Sequence, residues 1–458
     1  MALPSADFVA GVIEGFYGPP WTQADRYELF GWMQQWGLNA YLYGPKDDLR
    51  HRAIWRETYP DADAAKLAEV IAECARRGLK FFYMLGPGLD LRFTSASDRE
   101  RLKARLGQLL TLGCRHFALL FDDIPDRMDP ADRERFGSFA SAQCDVTNEL
   151  FRWVRDQQPA ARFLFCPTPY CGRMAERRLG GEGYLETVGR ELLPEIGVCW
   201  TGPEIISREI TVPHVRELRH LLRRAPVIWD NLHANDYDGR RIFLGPYEGR
   251  PSELRGEVAG LLTNPNTEYP VNYPAFRTFA EFVRHEGVWN PRAAYGQALV
   301  EWLPRFATVG QPITAADLSL FGDACYLPYA DGPAAAELFA ALQRLLATEP
   351  ARWTPELIAA FREPATRLRE FCARTAELRD RALFAALSRR TWELREELDL
   401  LLGYIRIKEA DPQAPATSDY HLPATYRGGY VARLQQLLRQ RADGVFEATD
   451  CQENALKV

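Results

Sequence analysis

Through residue 289, short apolar runs alternate with amphipathic stretches. The runs are Val9–Ile13, Asn39–Tyr43, Lys80–Leu85, His116–Phe121, Arg162–Cys166, Gly197–Thr201, Pro226–Trp229 and Gly260–Thr263. Several show no polar alternation, as expected of strands buried on both faces of a parallel sheet. Between the first two, Thr22 and Asp25 begin a helix that runs to Trp36 and stops at Gly37. After the second, Leu67, Val70, Ile71 and Cys74 recur at helical spacing, and Gly78 can end that helix in the left-handed conformation. After the third, Ser97 and Glu100 have capping-box spacing, Leu102, Leu106, Leu109 and Leu110 form an apolar face, and Gly113 stops it. Asp129-Pro130 makes an N-cap and first-turn pair after the fourth run, and Pro213 opens a helix with Val215, Leu218, Leu221 and Leu222 after the sixth. The helix after the seventh run is the weakest. Such strand–helix units predict an α/β fold, a (β/α)₈ TIM barrel. A doubly wound open sheet is the competing arrangement.

From Asn290 the strand runs give way to helical stretches at Ala334–Ala347, Thr354–Arg379 and Leu383–Ala410, the last with Leu394, Leu398, Leu401, Leu402 and Ile405 on one face. A loop rich in Pro, Gly and Ser, Asp411–Gly429, precedes a short final helix. The expected division is a catalytic barrel over 1–289 and an α-helical bundle domain over 290–458. The bundle would brace the barrel, or else form a homodimer interface or a polypeptide-binding groove.

Composition narrows the class. With 56 Lys and Arg against 62 Asp and Glu, the net charge is −6, which argues against nucleic acid as the partner. No apolar run is long enough to span a membrane, and the N-terminal segment lacks the pattern of a signal peptide. The nine cysteines are scattered through apolar segments, which suits buried thiols in a reducing, cytoplasmic setting. Cys166 and Cys171 are close, but no neighbouring Cys or His completes a zinc pattern, and no metal or other cofactor is expected.

In a (β/α)₈ barrel the reacting groups sit at the C-terminal ends of the strands. The runs here end in Glu14-Gly15-Phe16-Tyr17, Gly44-Pro45-Lys46-Asp47-Asp48, Asp122-Asp123, Pro167-Thr168-Pro169-Tyr170, Asp230-Asn231 and Asn264. His233, Asn235, Asp236 and Tyr237 lie just beyond the seventh. Carboxylates, amides, a lysine and aromatics together suit a sugar: polar edges need paired donors and acceptors, and apolar ring faces need aromatic platforms. The centre is Asp122-Asp123. A retaining glycosidase with a protein nucleophile brings two carboxyls to about 5 Å from separate elements. Two adjacent acids suggest another plan, in which a 2-acetamido carbonyl of the substrate is the nucleophile. Asp122 would then polarise the acetamido N–H and stabilise an oxazoline. Asp123 would act as general acid and then base, a role that calls for a raised pKa.

Four segments carry a resemblance: Gly11 to Gly18 (GVIEGFYG), Tyr41 to Asp48 (YLYGPKDD), Ala118 to Ile124 (ALLFDDI) and Val227 to Asp238 (VIWDNLHANDYD). Together with Leu261 to Asn266 (LLTNPN), they resemble glycoside hydrolase family 84 over roughly residues 9 to 285. Cys325 to Tyr329 is similar to the start of the helical stalk of eukaryotic members. The resemblance implies a retaining, metal-free β-N-acetylglucosaminidase that removes O-linked GlcNAc from Ser or Thr of proteins. It implies that Asp122 orients the acetamido group, Asp123 donates the proton and Tyr170 hydrogen-bonds the intermediate. Gly15, Lys46, Asp236 and Asn264 would hold sugar hydroxyls. Trp229, Asp230 and Asn231 would line the acetamido pocket, with Cys166 adjoining it. The chain departs from eukaryotic members at Gly44 and Pro169, where they usually carry Ala and Glu, and both positions are expected on the rim. The length leaves no room for the acetyltransferase-like domain of animal members.

Three other readings stand beside this one. The substrate could be a GlcNAc-containing glycan, as for a hyaluronidase-like enzyme. The protein could bind GlcNAc without turning it over. Asp122-Asp123-Ile124-Pro125-Asp126 also fits a magnesium-binding DDxxD pattern, although that needs its carboxylates on one helix face and Pro125 follows a strand here.

Overall fold

The structure, a computed structural model, describes residues 3–5, 7–419, 421–423 and 428–449. Eight strands close into a parallel barrel in chain order. They are β1 (Val9–Glu14), β2 (Ala40–Tyr43), β3 (Lys80–Leu85), β4 (His116–Leu120), β5 (Phe163–Cys166), β6 (Gly197–Trp200), β7 (Val227–Asp230) and β8 (Gly260–Thr263). Closure is made by β1 against β8, with Val9 opposite Gly260 and Val12 opposite Thr263. It rules out the open doubly wound sheet.

Alternation along each strand decides what fills the barrel. Val9 and Ile13, Ala40 and Leu42, Phe82 and Met84, Ala118 and Leu120, Leu164 and Cys166 all join one buried cluster with Cys199, Val227 and Leu262. The residues between them face the helices. Glu14 is one of these: it is fully buried, and both its oxygens are taken by Arg26, at 2.6 and 2.8 Å, with further bonds from Trp21 N and Tyr41 Oη.

The helices around the barrel are α1 (Gln23–Trp36), α2 (Asp61–Arg76), α3 (Ala96–Thr111), α4 (Pro130–Phe136), α5 (Phe139–Gln157), α6 (Gly172–Glu176), α7 (Tyr184–Glu191), α8 (Val212–Leu222) and α9 (Tyr273–Arg284). Helix α1 has the full Thr22–Asp25 capping box, and Gly37 ends it at φ 73°. Helix α3 differs from expectation. Its cap is Ser95, which accepts from Asp98 N, so the start lies two residues before the Ser97–Glu100 pair. Asp129 does cap α4, but that helix ends at Gly137 and the longer α5, capped by Ser138, makes the crossover. After β7 only a 3-10 turn forms, at Ser252–Gly256; its flanks carry Pro246, Gly249 and Pro251, which break helices.

By spatial clustering, one unit comprises Met1–Tyr237, Tyr247–Tyr269 and Phe276–Pro291, and a second comprises Asp238–Pro246, Pro270–Ala275 and Arg292–Val458. The second holds α10 (Pro291–Trp302), α11 (Ala315–Ala324), α12 (Pro333–Leu346), α13 (Pro355–Arg374), α14 (Arg381–Ala410) and α15 (Gly429–Gln435). Its core includes Leu342, Phe361, Leu368, Phe371, Leu394, Leu398, Leu401 and Ile405, all buried. It also contains a small antiparallel sheet that the sequence pattern does not reveal, with β11 (Val445–Ala448) between β9 (Ala416–Thr417) and β10 (Leu438–Gln440). Part of the expected 411–429 loop lies outside the described residues. Among those described, no helix is long and apolar enough to cross a membrane.

One acid in this unit is misplaced by ordinary rules. Glu397 on α14 is 3% exposed, and burial pushes its carboxyl up to about 7 from 4.5. A value raised in the folded state gives stability that is complete below pH 4.5 and is lost as pH climbs through 7. Glu397→Gln is therefore expected to unfold at a higher temperature than the parent at pH 8, by the equivalent of about 3 kcal/mol. At pH 4.5 the two should nearly coincide. Thermal unfolding at both pH values checks this, and a variant less stable at pH 8 would contradict it.

Candidate active site

The inward parity of β4 runs Ala118, Leu120 and then Asp122, so Asp122 enters the mouth of the barrel by simple alternation. Asp123 should face away. Instead it sits at φ 48°, in the left-handed region, and the turn brings its side chain to the same cavity. That cavity has a volume of about 530 Å³.

The two carboxyls meet different surroundings. Asp122 Oδ2 lies 3.6 Å from Lys46 Nζ and 3.7 Å from Arg52 Nη1. Burial alone would raise its pKa, but the cations Lys46 and Arg52 outweigh that and hold it below the ordinary carboxylate value. Its Oδ1 is buried with no hydrogen-bond partner among the described residues. Asp123 is solvent-exposed and meets phenols: Tyr170 Oη donates to Oδ1 at 2.9 Å and Tyr17 Oη to Oδ2 at 3.3 Å. Burial, with the nearby acids, pushes Tyr17 up to about 12 and raises Tyr170 further, so both stay protonated donors near neutrality.

Lys46 is backed by a neutral imidazole. His51 is fully buried, its Nδ1 is 2.7 Å from Met84 O, and burial together with Lys46 pushes its pKa down to about 3. With Nδ1–H donating to that carbonyl, Nε2 is an acceptor, and it lies 3.5 Å from Lys46 Nζ. A Cβ at Gly44 would come within 2.8 Å of both His51 Cε1 and Met84 Cβ, so the glycine leaves the ring its space. Gly44 and Pro169 are both buried, not on the rim as expected.

On the opposite side, Asp236 Oδ2 accepts from Tyr17 N at 2.9 Å, and burial raises its pKa. Asn264 Nδ2 donates to Asn231 Oδ1 at 2.9 Å, and Asn231 Nδ2 donates to Ile205 O at 2.8 Å. This relay fixes both amides and leaves Asn264 Oδ1 with no partner among the described residues. Gly15, Cys166 and Trp229 also line the cavity, Cys166 beside Asp122; an added Cβ at Gly15 would touch Trp229 at 3.3 Å.

The structure therefore gathers Gly15, Lys46, Asp122, Asp123, Cys166, Tyr170, Trp229, Asn231, Asp236 and Asn264 around one cavity. Asp230 is the exception. On β7 the inward positions are Val227, Trp229 and Asn231, so Asp230 points outward. There Arg250 grips both its oxygens at 2.7 Å, Tyr247 Oη adds a bond at 2.7 Å, and it is fully buried outside the cavity wall. Asp126 is exposed and Asp129 caps α4, so neither joins the acid pair in a metal site. Among the described residues no group of three or more His, Cys, Asp or Glu is arranged to hold a metal ion.

The cavity also has walls beyond the expected residues. Tyr17 and Tyr237 line the rim and are half exposed, at 48% and 50%. The loop after β6 supplies Thr201, Glu204, Ile205 and Ile206, and Arg173 on α6 pairs with Glu204 at 2.8 Å. Their position after a strand run was the only available clue. Arg52 and His51 lie further into the loop after β2, where nothing local marks them.

The model of the beta-N-acetylglucosaminidase family matches residues 10–309. Two mammalian proteins named Protein O-GlcNAcase, from Mus musculus and Rattus norvegicus, are each 48% identical over 277 residues, which is 60% of this chain and 30% of theirs. The match thus spans less than a third of the length of these relatives. Among solved structures, a variant of the Thermobaculum terrenum O-GlcNAc hydrolase superposes with a TM-score of 0.76 at 28% identity, covering 87% of this chain and 84% of that one.

Proposed function

As this chain belongs to the beta-N-acetylglucosaminidase family, we propose that it hydrolyses β-linked GlcNAc with retention, through an oxazoline, and that its substrates are proteins carrying the sugar on Ser or Thr. The observation that carries this reading is the contrast within the acid pair: Asp122 is held by cations, Asp123 by phenols, and both face one cavity. A carboxylate kept ionised beside Lys46 and Arg52 suits the group that accepts the acetamido N–H. A carboxyl at the open side, near the leaving oxygen, suits proton transfer.

In the first step the acetamido carbonyl oxygen attacks C1 while Asp123 gives its proton to the departing Ser or Thr oxygen. The N–H polarises toward Asp122 as the ring closes, and Tyr170 hydrogen-bonds the intermediate. In the second step Asp123 takes a proton from water, whose oxygen attacks C1 and reopens the oxazoline. Two inversions at C1 leave its configuration unchanged. Lys46, Asp236, Asn264 and the backbone of Gly15 hold the hydroxyls; Trp229, Asn231 and Cys166 enclose the methyl side.

The name of the mammalian relatives, Protein O-GlcNAcase, supports a protein substrate. A catalytic domain over 1–289 and a helical one over 290–458 are supported by the division near Pro291, with the segments 238–246 and 270–275 grouping instead with the second unit. The described cysteines are free thiols, mostly buried, which suits a cytoplasmic setting.

Substrate assistance has a direct test. Replacing the N-acetyl group of an aryl GlcNAc substrate by N-trifluoroacetyl withdraws electrons from the nucleophilic carbonyl. The expected kcat/KM falls at least tenfold, because the nucleophile is weakened in the transition state. A rate indifferent to fluorination would exclude the substrate as nucleophile. Parallel assays of glycopeptides and GlcNAc glycans then decide the substrate class.

A further inference from the structure

Arg52 is not among the residues that the strand-end motifs mark, yet it touches both members of the acid pair. Its side chain is only 8% exposed. Nη2 donates to the backbone carbonyls of Asp122, at 3.2 Å, and Asp123, at 2.6 Å, while Nη1 lies 3.7 Å from Asp122 Oδ2. These contacts fall on a strained turn, because Asp123 is held at φ 48°. Left-handed backbone is disfavoured for a residue with a Cβ, and Asp adopts it only as an isolated turn position. An extended chain would send neighbouring side chains to opposite faces, so the turn is what lets two consecutive acids meet one sugar. A planar fork of N–H donors can bridge two converging carbonyls and still present charge to a carboxylate; a lysine ammonium is a point charge without that geometry.

We propose that Arg52 is the positioning residue of the acid pair, fixing the left-handed turn at Asp123 through the two carbonyls so that Asp122 and Asp123 face the same substrate. The inference rests on the catalytic reading of that pair. It separates two effects of one side chain, orientation through the backbone and charge beside Asp122. The other groups around Asp122 are Lys46 and His51 from the loop after β2 and the thiols Cys166 and Cys199 from β5 and β6. The phenols Tyr17 and Tyr170 lie on the Asp123 side and do not titrate near neutrality.

The test uses the full chain, an aryl N-acetyl-β-glucosaminide, and the variants Arg52→Lys and Arg52→Met, with kcat, KM, the pH profile and thermal unfolding measured for each. Arg52→Met is expected to lower kcat ten- to a hundredfold with KM within threefold of the parent. With a cation gone, the acidic limb of kcat/KM should move up by about one pH unit. Arg52→Lys keeps the charge, so its acidic limb should stay in place while kcat remains at least tenfold down. If Arg52→Lys restores the parent kcat, or if both variants lose only thermal stability, the proposal is overturned. Should Arg52→Met fail to fold, the kcat and pH limb of Arg52→Lys decide. A parent protein that releases no GlcNAc from any glycoside would refute the catalytic reading itself, a different outcome from a parent-like Arg52→Lys.

Discussion

Asp123→Asn is expected to cut kcat by about 10²–10⁴-fold on a serine-linked GlcNAc peptide, the usual worth of a positioned general acid. The amide keeps the shape of the carboxyl and can still receive the hydroxyl of Tyr170 or Tyr17, so the turn and the cavity should persist. What disappears is the transferable proton. An alkoxide leaving group cannot depart without it, whereas an acidic phenol can. On the proposed mechanism the loss is therefore much smaller for the first step on an activated aryl glycoside, where deglycosylation, which would need the same residue as base, becomes limiting. Measuring glycopeptide and aryl substrates side by side checks this. Equal losses on both would remove Asp123 from proton donation and leave it a binding group.

Arg250→Met should destabilise the barrel by about 3–5 kcal/mol, the typical result of removing one partner from a buried ion pair. Arg250 and Asp230 are both wholly inaccessible, and the guanidinium also donates to the carbonyls of Ser207 and Arg208. Removing it strands the Asp230 charge and releases the segment that leads into the loop after β6. Chemical denaturation measures the loss. Replacing Asp230 by leucine in the same protein should recover part of it, because the uncompensated charge is then gone. Tyr247→Phe, which deletes one hydrogen bond to the same carboxylate, is expected to cost only about 1 kcal/mol. A cost below that for Arg250→Met would show that the pair does not anchor β7.

The barrel was legible because its signals are local. Each strand is an apolar run, and α1 carries its cap and its terminating glycine within the helix and its flanks. Where the local signal is weak, the reading slipped. Leu438-Arg439-Gln440 is too short and polar to announce a strand, and a Ser two residues upstream competes for the cap of α3. The cavity lining was legible where a residue lies at a strand end, as with Lys46, Asp122 and Asn264. Asp230 was misread because a motif match ignores parity, although alternation from Trp229 to Asn231 already sends it outward. Arg52 could not be read at all. Its partners are main-chain oxygens 70 and 71 positions away, which leave no trace in residue identity.

The amide relay from Asn264 through Asn231 ends on the main-chain oxygen of Ile205, not on a side chain. Every amino acid offers that oxygen. The side chain at position 205 can therefore change without removing the acceptor that orients Asn231 and, through it, Asn264.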